Sequence, residues 1–489
     1  MAENNQASFN PAKAAALAAG PLMFFIVLNT VSIEGLSPES TQVMAVAAWM
    51  IIWWMTEAVP LPVTALLPLV LFPVLEVFSM GEAASPYASP IVFLFMGGFL
   101  IALAMEKRNL HKRIALNIIR ITGTHANGII LGFMIATAFL SMWISNTATA
   151  VMMLPIALSV IDLLQEARKP GASEKGYHRF SLALMLGIAY AANIGGTTTI
   201  IGTPPNVVFV GYMQEFYDRE IEFGRWLLIG VPVCFTLLSI TFLLMTKVLF
   251  PHKLGKLAGS EVVIKEKLKQ LGRMSLAEKL VATIFILTAA CWIFQAWING
   301  LLGADYLNNT VVAMGGGILM FITPVSLKRN EFVVDWQSTE RLPWGILLLF
   351  GGGLCLAQGM ESTGIVQLVG DKIAGQGNLS LWILLLLLTT VMLFMTEVMS
   401  NVALTVIFIP VVLSIANSLG VNPLYLAVPV TLAASCAFMM PISTPPNAVV
   451  YSSGYIRMYD MLKAGLLLNL ISVVVLVLVG LSLVRWVYG

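Results

Sequence analysis

Two stretches decide the fold: Ile144-Ser145-Asn146-Thr147-Ala148-Thr149 and its echo Met399-Ser400-Asn401-Val402-Ala403-Leu404-Thr405. Each sets an Asn-centred polar cluster in the middle of a long apolar run. Ser141 stands four residues before Ser145, and Thr396 four before Ser400. Pro155 and Pro410 each stand nine residues after their Asn. Inside a bilayer such groups are costly unless something polar binds there. Both stretches read as parts of one small-ligand site, held and moved by the rest of the chain.

The chain around them has 489 residues, 58% hydrophobic and 11% charged, with a mean hydropathy of +0.88. A soluble domain carries about 25% charged residues, so this is an all-α polytopic membrane protein. The net charge of +2 is spread over loops with no interleaved aromatics, and no nucleic-acid partner is expected. Cys234, Cys291, Cys355 and Cys436 lie far apart in apolar runs without CxxC spacing and read as packing residues. The four histidines lack metal-ligand spacing. His111 and His125 fall in a basic segment expected at the surface, and His178 and His252 in loops. The first apolar stretch, 14–31, is too long for a signal-peptide core and reads as a retained membrane helix.

Apolar windows of spanning length fall at 14–33, 42–59, 62–79, 88–106, 126–163, 181–212, 226–250, 279–301, 308–325, 343–360, 380–419, 423–455 and 461–487. Basic residues follow the fourth, fifth, seventh and ninth windows (Lys107 and Arg108, Arg168 and Lys169, Lys253 through Lys279, Lys328 and Arg329), and Arg457 and Lys463 lie between the last two. These should be cytoplasmic. The remaining connections are acidic, among them Glu34, Glu76, Glu215 and Glu361, and should be outside. The N-terminus is then cytoplasmic and the C-terminus outside, in a multi-pass protein of the plasma membrane, which in a prokaryote is the inner membrane. Both flanks of 126–163 are cytoplasmic and both flanks of 380–419 are outside. Each is therefore read as a helical hairpin with its Ser-Asn motif at the tip. Two full-length crossings joined by a tight turn would satisfy the same charges, but Ser, Asn and Thr packed together among apolar neighbours favour a re-entrant hairpin, leaving eleven transmembrane helices.

The two halves match at an offset of 255 residues: Gly97-Gly98 with Gly352-Gly353, Met105-Glu106 with Met360-Glu361, Ser141 with Thr396, Ser145-Asn146 with Ser400-Asn401, Pro155 with Pro410. A second pair, Gly202-Thr203-Pro204-Pro205-Asn206 and Ser443-Thr444-Pro445-Pro446-Asn447, follows at an offset of 241. Five crossings per half make the repeats inverted. Residues 1–33 are an N-terminal tail and first helix. The first inverted repeat is 42–250, with hairpin 126–163 and broken helix 181–212, and 251–279 is a basic cytoplasmic loop. The second repeat is 279–487, with hairpin 380–419 and broken helix 423–455. Inverted repeats with interrupted helices in matching places point to a secondary transporter with a midplane site.

Pro-Pro cannot continue a helix, so each Thr-Pro-Pro-Asn breaks its membrane helix. The break frees carbonyls at one half-helix end and amides at the other. Carbonyls with Ser, Thr and Asn oxygens suit Na⁺, and amide ends suit an anion. No Lys or Arg occurs in 126–163, 181–212, 380–419 or 423–455. A multivalent anion bound there would lack any fixed counter-charge, and burying it unpaired would be prohibitive. Co-bound cations are thus a physical need of such a site. Other polar groups have plainer readings. Glu57 sits near a helix end, Asp162 near a wet hairpin base, and the glycine pairs at close helix contacts. Glu397, four residues before Asn401, either faces the site or bonds a neighbouring helix.

These motifs, together with Trp53-Trp54-Met55-Thr56-Glu57-Ala58-Val59-Pro60 and its continuation to Pro68, resemble the divalent anion–sodium symporters, carriers of dicarboxylates, citrate and, in some branches, sulfate. The resemblance covers about 14–487 of the chain. It implies a homodimer embedded in lipid, with a scaffold part and an elevator-type transport part carrying the hairpins. It implies at least two Na⁺ sites: one from Ser141, Ser145, Asn146 and the backbone of Gly202, the other from Thr396, Asn401 and the backbones of Met399 and Ser443. Substrate carboxylates would meet Asn146 and Thr147 at one tip, Asn401 at the other, and Thr444 and Pro445. Val402 departs from the paired pattern, where Thr would complete the triplet, and bears on substrate choice.

The expected activity is Na⁺-coupled import of C4-dicarboxylates such as succinate, malate or fumarate, with citrate as a tricarboxylate extension. A Na⁺-independent exchanger and a sulfate symporter of the same fold are the alternatives. An intramembrane enzyme is disfavoured, because neither Ser145 nor Ser400 has a His or Lys placed as base in the membrane segments.

Overall fold

The structure, a computed structural model, describes residues 11–31, 36–166, 174–257, 260–375 and 380–489. The first ten residues of the N-terminal tail and the flanking charges Glu34, Arg168 and Lys169 lie outside the described residues. Apart from a short antiparallel pair, Pro324–Ser326 with Glu331–Phe332, the regular structure described is helical. By length and apolarity, eight described helices could each cross a membrane, which fits the polytopic reading from composition.

Each of the two motif segments is a helix–turn–helix unit. Ala126–Ser141 turns through four residues into Asn146–Glu166, and Leu381–Met395 turns into Asn401–Ser418. Both breaks are present too. Glu174–Gly196 stops before Pro204–Tyr217, and Leu424–Ala434 stops before Pro445–Tyr451. In each case Pro-Pro opens the second piece, where its missing N–H and fixed φ cost nothing.

Packing is crosswise. The helix before each break lies along both arms of its own repeat's hairpin. The piece after the break packs on the other repeat: Pro204–Tyr217 on Asn401–Ser418, and Pro445–Tyr451 on Asn146–Glu166. One consequence is visible at Pro410. Lacking an N–H, it leaves the carbonyl of Val406 without its helical donor, and Tyr212 supplies one through its hydroxyl at 2.8 Å. A second set of helices packs mainly within itself: Pro11–Thr30 on Pro38–Thr56, and Pro90–Lys107 on Asn309–Ile322 and Leu276–Ile293.

The glycine pairs are close contacts, as expected. A Cβ on Gly97 would lie 2.5 Å from the Ala313 carbonyl carbon, and one on Gly352 would lie 2.0 Å from the Ala65 oxygen. Gly98 and Gly353 face Ile201 and Val406 instead.

Several expectations fail locally. The window 62–79 is not one helix. Pro60, Pro62, Pro68 and Pro73 divide it into Leu61–Thr64 and Leu67–Val74. Leu110–Ile121 and Ile365–Ala374, also 255 residues apart, are amphipathic helices joining the Gly-Gly helices to the hairpins; both are too short and too polar to register as membrane windows. His111, expected at the surface, is buried, with Nδ1 2.9 Å from the Met105 carbonyl. His178 lies on the helix Glu174–Gly196 and His252 is buried in its loop.

Candidate ligand-binding site

The hairpin tips and the two breaks enclose one cavity of about 670 Å³. The first residues of four helices line it: Asn146 and Thr147, Pro204 and Pro205, Asn401 and Val402, Pro445 and Pro446. Helix N-terminal ends carry partial positive charge, although Pro204, Pro205, Pro445 and Pro446 have no N–H of their own to offer. Of the side chains that line the cavity, Glu57 alone is ionisable. It caps Pro38–Thr56 in a left-handed conformation, φ 47°, so its helix-end reading holds and its position on the cavity wall is new.

Behind each tip, oxygen atoms crowd together in the same pattern. Ser141 Oγ lies 2.6 Å from Asn146 Oδ1 and 2.7 Å from the Ala192 carbonyl. Thr396 Oγ1 lies 2.5 Å from Asn401 Oδ1 and 2.9 Å from the Ala434 carbonyl. A hydroxyl has one proton and cannot donate fully to both oxygens. Each trio is thus an oxygen-rich cluster short of positive charge, the chemistry a hard monovalent cation satisfies. Carbonyls also converge at Gly202, where a Cβ would lie 2.4 Å from the Gly196 oxygen and 3.0 Å from that of Met142.

Of the residues named from the sequence, Ser145, Asn146, Thr147, Gly202, Met399, Asn401, Val402, Ser443, Thr444 and Pro445 line the cavity. Ser141 and Thr396 do not; both are fully buried one layer behind, against their Asn. Ser145 Oγ also accepts from the Ala148 N–H at 3.2 Å, capping its helix.

The breaks are held by the asparagines that follow them. Asn206 Nδ2 donates to the Thr197 and Thr199 carbonyls at 3.2 and 2.8 Å. Asn447 Nδ2 donates to those of Ala437 and Met440 at 3.1 and 3.0 Å. Two residues to which the sequence assigned no role in the site link the repeats; Asn193 opens a stretch expected only to let chains approach closely before the first break. Asn193, on the cavity wall, donates to Thr444 Oγ1 at 3.0 Å, and Ser435 Oγ lies 3.3 Å from Thr203 Oγ1. Asn193 and Ser435 are 242 positions apart, within one residue of the motif offset. That register was the available signal, hidden because the residue types differ. Glu397 turns away from the cavity and bonds neighbouring elements.

The chain is similar to known proteins along nearly its whole length. Residues 12–489 match the sodium:sulfate symporter transmembrane region. A sodium-dependent dicarboxylate transporter, SdcS, of Staphylococcus saprophyticus is 39% identical over 485 residues, covering 99% of this chain and 93% of that one. SdcS of Staphylococcus aureus is 38% identical over 474 residues, covering 96% and 91%. Among solved structures, the Alcanivorax borkumensis YdaH transporter superposes with a TM-score of 0.55 at 13% identity over 82% of this chain and 87% of that one. Neisseria gonorrhoeae MtrF gives 0.54 at 11% identity over 97% and 95%; at these identities the likeness is one of fold. With nearly its whole length matched, the chain belongs to the sodium:sulfate symporter family of membrane carriers and is not an enzyme.

Proposed function

We propose that this protein imports C4-dicarboxylates such as succinate, malate and fumarate together with Na⁺, with citrate as the larger substrate within reach of the same cavity. The single observation that carries the reading is the duplicated trio of hydroxyl, Asn amide oxygen and main-chain carbonyl behind the two tips. A dianion in a cavity whose one ionisable wall residue is itself acidic must bring its counter-charge with it. Two cation clusters beside four helix N-termini supply that charge. The names of the SdcS relatives support sodium and dicarboxylate as the pair.

In this reading one Na⁺ is held by Ser141, Ser145, Asn146 and the Gly202 backbone, and the other by Thr396, Asn401 and the backbones of Met399 and Ser443. The substrate's carboxylates meet Asn146, Thr147, Asn401 and Thr444-Pro445, with Val402 setting the size and polarity of one end. Thr444 Oγ1 accepts from Asn193 and keeps its own hydrogen to donate. The hairpins, re-entrant from opposite faces, and the broken helices move as one transport part against the other helices. Their crosswise packing supports this, and so do the glycines Gly98 and Gly353, which place bare backbone against Ile201 and Val406. The repeats 42–250 and 279–487 are inverted, the N-terminus is cytoplasmic, and two protomers associate through the non-moving helices in the plasma membrane.

Uptake of radiolabelled succinate by proteoliposomes tests the reading. An inward Na⁺ gradient should drive accumulation, and unlabelled sulfate should compete poorly. Uptake indifferent to Na⁺ would instead favour exchange, and strong sulfate competition would favour a sulfate carrier.

A further inference from the structure

The basic residues of this chain are concentrated in two places. Segments 107–126 and 251–279 together carry twelve Lys and Arg and three Glu. Two of those Glu are neutralised locally, Glu278 by Arg113 and Glu261 by Lys265. Lys112, Arg120, Lys256, Lys269 and Arg273 are exposed and belong to no ion pair among the described residues.

The two segments are bound into one platform. Before the helix Ser260–Leu271, the chain pairs with the entry to the first hairpin: the Leu257 N–H donates to the Thr124 carbonyl at 2.9 Å, and the Ala126 N–H to that of Gly255 at 3.1 Å. Ser260–Leu271 then packs on Leu110–Ile121 and on Asn146–Glu166, with Ile264 buried. At its far end Arg113 donates to the Leu271 and Gly272 carbonyls at 3.3 and 3.0 Å and pairs with Glu278. The helix 260–271 therefore runs back along 110–121 and is tied down at both ends. Arg120 and Lys256 come to one end of the platform, and Lys112 and Arg273 to the other.

Orienting a membrane protein needs only positive charge in a loop. Here the charge is held on ordered helices, and exposed apolar side chains stand with it. Ile121, next to Arg120, is 80% exposed; Val262, in the first turn of 260–271, is 62% exposed; Leu276, three residues after Arg273, is 58% exposed. Basic and apolar groups presented together on short amphipathic helices suit the boundary of a bilayer, where phosphate and acyl chain lie within reach of one surface. In the orientation proposed above, that boundary belongs to the cytoplasmic leaflet, which carries the anionic lipid.

We propose that the paired helices Leu110–Ile121 and Ser260–Leu271 form a binding surface for the anionic headgroups of phospholipids in the cytoplasmic leaflet. The first of them joins Pro90–Lys107 to the first hairpin, and the second leads into Leu276–Ile293. Bound headgroups thereby brace the joint through which the hairpin carrying Ser145 and Asn146 is attached to the Gly-Gly helix.

The test is the melting temperature of the full-length protein in a non-ionic detergent, titrated with dioleoylphosphatidylglycerol, with dioleoylphosphatidylcholine and glycerol phosphate as comparisons. Phosphatidylglycerol should raise it in a saturable way that added KCl weakens; the other two should not. Each cation near an anionic lipid strengthens binding by up to about fivefold. The variant combining Lys112→Gln, Arg120→Gln, Lys256→Gln and Arg273→Gln should therefore need about tenfold or more phosphatidylglycerol for half the effect. Lys328→Gln with Arg329→Gln, which removes two exposed charges from a separate basic turn, should leave the curve in place. Equal stabilisation by phosphatidylcholine or by glycerol phosphate overturns the proposal. So does a wild-type curve from the fourfold variant, or an equal shift in the Lys328 and Arg329 variant. If the fourfold variant does not fold, its two halves, Lys112→Gln with Arg273→Gln and Arg120→Gln with Lys256→Gln, should each shift the midpoint by about threefold or more; wild-type curves from both then overturn it. Neither Na⁺ nor substrate enters the measurement, so its failure leaves the transport reading untouched.

Discussion

Thr396→Val is the sharpest probe of the oxygen clusters. Val fills nearly the same volume as Thr, so the fully buried site stays packed. What disappears is the hydroxyl within 2.5 Å of Asn401 Oδ1 and 2.9 Å of the Ala434 carbonyl. Without a cation, the loss leaves buried acceptors short of a donor and should destabilise the protein by about 1–3 kcal/mol. With a cation, the loss removes one oxygen ligand, and the half-activating Na⁺ concentration should rise by about 10- to 100-fold, with a less sigmoidal curve. Thr405→Val is the matched control. Thr405 is equally buried, but its hydroxyl donates at 2.6 Å to the Asn401 carbonyl within the helix and belongs to no oxygen cluster. It should cost about 1 kcal/mol of stability and leave Na⁺ activation alone. The assay is succinate uptake against Na⁺ concentration in proteoliposomes, beside melting temperatures with and without Na⁺. Equal Na⁺ curves for the two variants would show that the Thr396 trio is ordinary buried polarity, and the cation assignment would fall.

Asn146→Ala and Asn401→Ala should each abolish transport in a protein that still purifies as a folded dimer; normal uptake by Asn146→Ala would remove the first tip from the site. Val402→Thr should change the ratio of succinate to citrate uptake while Na⁺ dependence persists, and an unaltered competition panel would show that this wall does not select substrate. Arg113→Met breaks the ion pair with Glu278, whose carboxylate is nearly buried, and frees the Leu271 and Gly272 carbonyls; a loss of about 3–5 kcal/mol is expected, read as a lowered melting temperature. Burial holds the His111 imidazole below its ordinary value of 6.5. The neutral form is the folded form, so its contribution is complete above that value and declines as pH falls below it. The melting temperature should therefore drop between about pH 7 and pH 5, and less steeply in His111→Gln.

The sequence determined the membrane class, the duplicated motifs and the places where helices break, because each rests on composition or on local covalent constraint. Pro204-Pro205 and Pro445-Pro446 must open helices wherever the chain goes. Ser-Asn clusters in apolar runs must meet a polar partner. A register of 255 residues needs no coordinates to be counted. Tertiary structure decided what depends on contact between distant segments. It alone brought the carbonyls of Ala192 and Ala434 to complete the oxygen trios, since a main-chain oxygen has no sequence signature. It set Asn193 on Thr444, and it turned Glu397 from the cavity to a nest of amides 41 to 43 residues away. The proline-rich segment 62–79 reads as one apolar window but folds as two pieces, because hydropathy is a sum and helix continuity is a chain of individual bonds. The two tips with which the repeat was recognised already differ in sequence, where Val402 stands for Thr147. Folding alone completed their oxygen trios, because it brought a main-chain carbonyl from a separate helix to each.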